Sequence, residues 1–315
     1  MRFYDSDAVH SLLRYPDLIE ALREAHRQNG PDAAHMVRDD PAGGDNKFVV
    51  LVGWKGGSVI AVKMVGVFPD NLTLTPPQPS VQGLVAVFDA STGAPVLAAD
   101  GAAMTFRKTA ADSALGASLL ARPDARVLLV VGAGGLAPHV LEAHRAARPS
   151  IDRVLVWNRT HHRAEALARA HADRGYAISA VSDLDQAVAE ADVISCVTMS
   201  DAPLVKGTLL KPGAHLDLVG AYLPTMREAD DDAMERGSIF VDTRSGMEGA
   251  GDLCQPVQRG RIAWSDVRAD LYDLCAGRDP GRTRADEITV FKNVGGGHLD
   301  LFTAQSLRSM ARRSA

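Results

Sequence analysis

Residues 127–144 read VLLVVGAGGLAPHVLEAH, and this stretch decides the fold. Five apolar residues end at Val131, with the length and branching of a buried strand. Gly132-Ala133-Gly134-Gly135-Leu136-Ala137 then opens a helical stretch. The pattern is GxGxxA between strand and helix. Gly132 permits a tight turn, and Gly134 lets the backbone approach a pyrophosphate. Ala137 allows helix and strand to pack closely, while the helix N-terminus supplies amide donors and partial positive charge. A glycine loop alone is weak evidence. With a strand before, a helix after and a second strand on schedule, it predicts a dinucleotide site.

Working outward, the region from about Pro123 to Arg284 alternates short apolar runs with helical stretches. RVLLVVG, RVLVWN, ADVISCV, HLDLVGA and SIFVDT are the strands, and RAEALARAHA is one of the helices. This rhythm predicts a parallel sheet covered on both faces. Earlier in the chain, FVVLVGW, VIAVKMVGV and LVAVFDA are strands bounded by turn residues, and Ser91-Thr92-Gly93 suggests a hairpin. Helices are expected over Pro16–Arg27, from Thr105 to Leu120, and at the C-terminal end. The fold class is therefore α/β, a Rossmann doubly wound parallel sheet with a second α+β region ahead of it.

After the second strand, an Asp or Glu would read the ribose 2′-hydroxyl and repel a 2′-phosphate. Here Asn158-Arg159-Thr160 follows VLVW, with Arg163 one helical turn on. Cations and neutral donors in place of an acid favour NADP(H), with NAD(H) as the alternative. A short-chain dehydrogenase is disfavoured, because no tyrosine has a lysine four positions later.

The composition bounds the setting. The chain has 315 residues, 46% hydrophobic and 23% charged, with a formal charge of −5. That is enough to build two globular domains, and it argues against nucleic acid or an anionic membrane as partner. Cys196, Cys254 and Cys275 have no paired spacing, so a disulfide framework is not expected. The start MRFYDSDAVH lacks the pattern of a signal peptide, and no apolar run approaches the ~20 residues that span a bilayer. A cytoplasmic protein is expected. His161-His162, His139 and His144 have no ligand spacing, so no metal is expected. Cys196 reads as core rather than nucleophile.

Taken together, several blocks resemble the ornithine cyclodeaminase/mu-crystallin family. They include KMVGVFPDN at 63–71, FDASTGAP at 88–95, MTFRKTAADSALGASLLARPDA at 104–125, VGAGGLA at 131–137 and VWNRT at 156–160. ADVISCVTMSDAP at 191–203, KPGAHLDLVGA at 211–221, RE at 227–228, GD at 251–252 and ITVFKNVG at 288–295 continue the series. The resemblance implies a substrate-binding and dimerisation domain from residues 1–122 and 286–315. It implies a dinucleotide-binding Rossmann domain from residues 123–285, an active site in the cleft, and a homodimer. Ser80, Lys108, Thr109, Asn158, Arg159, Thr160, Thr198, Met199, Val219, Ala221 and Asn293 then occupy cofactor-contact positions.

The family acts on small amino or imino acids, whose carboxylate needs cations in a partly dry site. Lys63, alone in an apolar strand, matches the family lysine. Lys108 stands where the family has an arginine, which keeps the charge but loses the bidentate fork. Neighbouring Arg107 faces a different way from Lys108. Arg38, in the loop before the sheet strands, is the third cation, with His35 as alternative. His298 and Asp300 fall near the same site, where His298 could assist protonation. Tyr222 occupies the position of the cyclodeaminase catalytic aspartate. A phenol with an ordinary pKa of ~10 is a poor base at neutral pH. The expected activity is therefore NADPH-dependent reduction of a cyclic ketimine. Δ1-pyrroline-2-carboxylate or Δ1-piperideine-2-carboxylate would give proline or pipecolate, with Lys63 and Tyr222 as catalytic residues. An ornithine cyclodeaminase, and an NADPH-holding protein that binds a small ligand without turnover, are the alternatives.

Overall fold

The structure is a computed structural model that describes residues 1–313. Contacts divide the chain into two compact units. The first holds Met1–Ala25, Asn29–Lys108 and the residues from Gly296 onward; the second holds His26–Gln28 and Thr109–Gly295.

The first unit is built on a six-stranded sheet. Its strands are β1 (Arg2–Tyr4), β2 (Asp32–Asp39), β3 (Lys47–Trp54), β4 (Val59–Val67), β5 (Val81–Asp89) and β6 (Pro95–Asp100), in the order β1-β6-β5-β4-β3-β2. β1 runs parallel to β6, and the remaining pairs are antiparallel. The β5–β6 hairpin turns at Gly93, whose φ of 71° is the left-handed conformation glycine adopts freely. Helices α1 (Ser6–Leu12) and α2 (Tyr15–His26) precede the long strands.

The unit closes with a C-terminal helix, numbered α10 (Gly297–Arg313) in chain order, which packs on β2, β3, β4 and β5. The approach is close. A Cβ on Gly53 would lie 2.9 Å from the Cβ of Leu301. Alternation along β4 turns Val59, Ala61, Lys63 and Val65 to the buried side, leaving Ile60, Val62 and Met64 half-buried on the other.

The second unit holds an eight-stranded parallel sheet. Chain order runs α3 (Gly101–Leu120), β7 (Val127–Val131), α4 (Ala137–Ala147), β8 (Arg153–Trp157), α5 (His161–Ala170) and β9 (Ala177–Val181). It continues through α6 (Leu184–Glu190), β10 (Val193–Cys196), β11 (His215–Leu218), α7 (Asp231–Arg236) and β12 (Ser238–Val241). The last elements are α8 (Gly251–Gln258), β13 (Val267–Asp270), α9 (Leu271–Cys275) and β14 (Thr289–Lys292). The strand order is β13-β12-β14-β11-β10-β7-β8-β9, so the winding direction reverses between β7 and β10. That switch point is where open α/β sheets bind ligands. The core mixes apolar residues of β7, β8, β10, β11, β12 and β14 with those of α6, α7 and α8.

Three features differ from the sequence reading. First, the contact division falls inside α3, at 108/109, and at 295/296, rather than at 122 and 286. Asp100 caps α3 by accepting the Ala103 N–H at 2.7 Å, and the helix continues unbroken to Leu120. In its second half Ala110, Ala114, Leu115 and Ala117 are fully buried. A Cβ on Gly116 would meet the Phe291 ring of β14 at 2.9 Å, and β14 is hydrogen-bonded between β11 and β12. Second, residues 32–39 are an edge strand and not a loop. All eight are exposed, so no apolar alternation marked them, and backbone pairing to β3 alone defines the strand. Third, β9 and β13 went unseen for a similar reason, being short and only partly buried.

Among the described residues no helix is long and apolar enough to cross a membrane. Replacing Gly116 by Val should force its side chain into the Phe291 ring. The expected cost is about 1–3 kcal/mol, read as a lower thermal midpoint. An unchanged midpoint would contradict the packing of α3 on β14.

Candidate active site

In the second unit the glycine loop leaves β7 at the switch point. Gly132 has a φ of 114°, and its N–H donates to the Trp157 carbonyl at 2.8 Å. A Cβ there would come within 3.0 Å of the Val197 carbonyl oxygen, so this position tolerates only glycine. The Ala133 N–H donates to Asn158 Oδ1 at 3.1 Å, and Asn158 Nδ2 donates to the Thr160 carbonyl at 3.0 Å. Asn158 thus ties the loop after β7 to the loop after β8. Gly134 and Gly135 are exposed, and nothing lies within 4 Å of a Cβ built on Gly134. Within the first turn of α4 the Ala137 N–H donates to the Gly134 carbonyl, the His139 N–H donates to the Leu136 carbonyl and Pro138 has no N–H, so the amides left to meet an anion are those of Gly134, Gly135 and Leu136 in the loop before it. Arg159 and Arg163 are exposed and enter no ion pair among the described residues. This open, amide-lined loop fits a pyrophosphate, and the two guanidinium groups fit a further phosphate.

The loops after β10 and β11 are fastened by a residue to which the sequence reading gave no role. Glu228 is fully buried. One carboxylate oxygen accepts the Thr198 N–H at 2.6 Å and the Thr198 hydroxyl at 2.9 Å. The other accepts the Gly220 N–H at 2.7 Å and the Ala221 N–H at 3.3 Å. Asp252 in turn accepts the Glu228 N–H at 2.7 Å and pairs with Lys292 Nζ at 3.1 Å. Burial and the neighbouring Asp252 push the Glu228 carboxyl up to about 8, opposed by Lys292 and the Thr198 donors. The RE and GD blocks therefore carry one buried network. Gly220 belongs to it as well, since a Cβ there would overlap the Thr198 carbonyl oxygen at 1.8 Å. Around this network Val219 and Ala221 are buried, whereas Met199 and Tyr222 are exposed. Asn293, also buried, donates to the Thr109 carbonyl and to Ser113 Oγ.

Other polar groups of this unit are structural. Ser195 Oγ donates to Asp217 at 2.6 Å and His144 Nε2 sits 3.0 Å from the same carboxylate. All three are sealed from solvent, and the aspartate stands between the other two, so they do not form a nucleophilic relay. Burial, then the negative charges of Glu228 and Asp252, push the Cys196 thiol up, which suits a core residue.

In the first unit three charged side chains meet under α10. Asp300, in the first turn of α10, lies 2.8 Å from Lys108 Nζ and 3.6 Å from Lys63 Nζ. Their side chains are only 3%, 7% and 9% exposed. Lys108 also donates to the Gly296 carbonyl at 3.4 Å. Burial, then the charge of Lys108, lowers the Lys63 pKa to about 8. Arg107 does not join them. Its guanidinium donates to His10 Nδ1 and the His10 carbonyl and stacks over Tyr15.

The strand register corrects the expectation for Arg38. Arg38 pairs with Phe48, which pairs with Gly66, so its side chain leaves the sheet on the face opposite Lys63. His35 pairs with Leu51, which pairs with Lys63, and therefore shares the lysine's face two strands away. His298, read from sequence as a surface histidine or a participant near the site, is buried and packs edge-on to Phe302. Ser80 is half-buried, and its carbonyl accepts the Phe68 N–H at 2.7 Å.

The family model for ornithine cyclodeaminase/mu-crystallin proteins matches residues 5–314. The chain belongs to the ornithine cyclodeaminase/mu-crystallin family. Within that family, a Δ1-pyrroline-2-carboxylate reductase of Paracoccus denitrificans is 41% identical over 293 residues, covering 93% of this chain and 91% of the relative. The solved structure of Thermococcus litoralis Δ1-pyrroline-2-carboxylate reductase, in complex with NADH and L-proline, matches with a TM-score of 0.92. It is 26% identical and covers 100% of this chain and 98% of the other. An archaeal alanine dehydrogenase dimer with bound NAD matches with a TM-score of 0.89 at 25% identity, over 100% and 97% of the two chains.

Glu228→Ala in this family member should strand four buried donors and leave Asp252 facing an altered partner. The expected loss is about 3–5 kcal/mol of stability, measured as a fall in the urea midpoint. A midpoint within error of the parent's would show that the network does not hold these loops.

Proposed function

We propose that the protein is an NAD(P)H-dependent oxidoreductase that reduces a cyclic ketimine to the cyclic amino acid. Δ1-Pyrroline-2-carboxylate, giving proline, or Δ1-piperideine-2-carboxylate, giving pipecolate, is the substrate. The observation that carries this reading is the pair of buried ammonium groups of Lys63 and Lys108. Buried cations are costly unless they meet anions, and Lys63 has only a 3.6 Å approach to its carboxylate neighbour. Its donors are suited to a substrate carboxylate. The named relatives and the L-proline in the Thermococcus complex support the same class of ligand.

Residues of this chain then divide the work. Lys63 and Lys108 together supply the positive charge that draws in the substrate carboxylate and so orients the ring. Gly132, Gly134, Gly135 and Leu136 present backbone amides to a pyrophosphate. Thr198, Met199, Val219, Ala221, Ser80, Thr109 and Asn293 are cofactor contacts in this reading. Arg159, Arg163, Asn158 and Thr160 favour a 2′-phosphate, hence NADP(H) over NAD(H). A reduced nicotinamide, when bound, supplies hydride to the imine carbon. A protonated imine needs no strong base from the protein. A cyclodeaminase asks for more proton transfers, and the position of its acid is held by exposed Tyr222.

Incubation with each imine and either NADPH or NADH, following loss of reduced-cofactor absorbance, tests the reading. Turnover with preference for NADPH is expected. Replacing both Arg159 and Arg163 by Ala should narrow that preference by about tenfold or more. Ammonia release from ornithine with NAD, without imine turnover, would instead make the protein a cyclodeaminase.

We also assign a homodimer. The sheet face opposite α10 presents Met36, Phe48, Trp54 and Leu84 exposed, with Val50, Val52, Ile60, Val62 and Met64 half-buried beside them. So large an apolar face calls for a cover. Light scattering should give twice the chain mass, and a monomer at micromolar concentration would contradict the assignment.

A further inference from the structure

Two cations in a dry site need a counter-charge in the unliganded protein, or one of them surrenders its proton. Asp300 is the only acid facing them among the described residues. The elements around the cluster present Lys63 from β4, Lys108 from α3, and Asp300 and His298 from α10, while His35 shares the same sheet face on β2. The facing positions of β3 and β5, namely Leu51, Gly53, Val85 and Val87, are uncharged. Asp300 sits in the first turn of α10, where the helix dipole favours an anion. Its two contacts are unequal. Lys108 is held at 2.8 Å and is also tied to the Gly296 carbonyl, whereas Lys63 stays at 3.6 Å, beyond hydrogen-bond range.

We infer that Asp300 is the positioning residue of the lysine pair: it anchors Lys108, offsets one of the two positive charges, and leaves Lys63 to receive the substrate carboxylate. This rests on the ketimine-reductase reading and goes further by dividing the roles of the three side chains. The cluster carries one net positive charge, and a single carboxylate neutralises it. Both lysines approach the same Asp300 oxygen, Oδ1, and Lys108 is the nearer of the two, at 2.8 Å against 3.6 Å. Asp300 does not touch the reacting atoms; it acts through the lysines. The electrostatics agree in direction, since Asp300 opposes the burial and the Lys108 repulsion that lower the Lys63 pKa to about 8. Removing its charge should therefore strip Lys63 of its proton at lower pH. Removing the charge of Lys108 should do the reverse.

The test compares the wild type with Asp300→Asn, Asp300→Glu and Lys108→Gln from acid to alkaline pH. Two readouts are taken: KM and kcat for Δ1-pyrroline-2-carboxylate, and calorimetric affinity for L-proline with oxidised cofactor. In the wild type, carboxylate affinity should fall as pH rises through about 8, where Lys63 loses its charge. Asp300→Asn should move that limb about one pH unit or more toward acid, raising KM about tenfold at neutral pH with a smaller change in kcat. Asp300→Glu keeps the charge and should restore the limb, and Lys108→Gln should move it toward alkali. If Asp300→Asn does not fold, the Lys108→Gln profile decides, and an unmoved limb overturns the inference. It is also overturned if Asp300→Asn lowers affinity equally at every pH with the limb in place, the mark of a merely structural role. Tighter proline binding at every pH overturns it too, by making Asp300 an internal competitor. Wild-type proline binding without imine turnover would sink the reductase reading and leave the limb to judge Asp300.

Discussion

A buried charge must be met by an opposite charge or by converging donors, and each unit of this protein is organised around one such demand. In the first unit, Asp300 stands between Lys63 and Lys108. In the second, Glu228 gathers four donors from two loops while Asp252 and Lys292 pair behind it. Neither network is a cheap way to gain stability, since desolvating ions costs several kcal/mol per charge. Both lie beside positions that the functional reading requires. The first offers cations to a carboxylate. The second holds the backbone after β10 and β11 in register with the glycine loop.

The parallel sheet explains why that second network can exist. The winding reverses between β7 and β10, and at such a switch point the loops that leave neighbouring strands diverge and open the carboxyl end of the sheet. The chain there has little room. Gly132 and Gly220 each lack a side chain where one would run into a neighbouring backbone carbonyl. Close approach of the loops is what lets a single glutamate reach Thr198, Gly220 and Ala221 together. The RE and GD blocks, which had no evident chemistry as sequence, are the fasteners of this end of the sheet.

Much of the fold was legible before the structure. The strands at 47–54, 59–67, 127–131, 153–157 and 193–196 carry apolar runs of the right length, and the glycine loop follows its strand as expected. Strand β2 was not legible, because all its residues are exposed and its existence depends on pairing with β3. That one omission decided the fate of Arg38. Read as part of a loop, it could be imagined reaching the lysines; on an edge strand, its side-chain direction is set by register. The division inside α3 escaped for a different reason. A continuous helix carries no local signal of which layer each half packs against; tertiary contacts such as Gly116 against Phe291 and Asn293 against Thr109 and Ser113 reveal it.

The sequence by itself determined the α/β class, the glycine loop between β7 and α4 and the place of Lys63 in an otherwise apolar strand, because each depends on local chemistry: periodicity, a glycine spacing, a cation among apolar residues. Only the tertiary structure decided the partners of these residues. Asp300 lies 237 positions from Lys63 in the chain and Glu228 lies 30 from Thr198, and no spacing rule links either pair. Contacts at such separations are set by how helices and strands pack, a property of the whole chain that no window of residues contains.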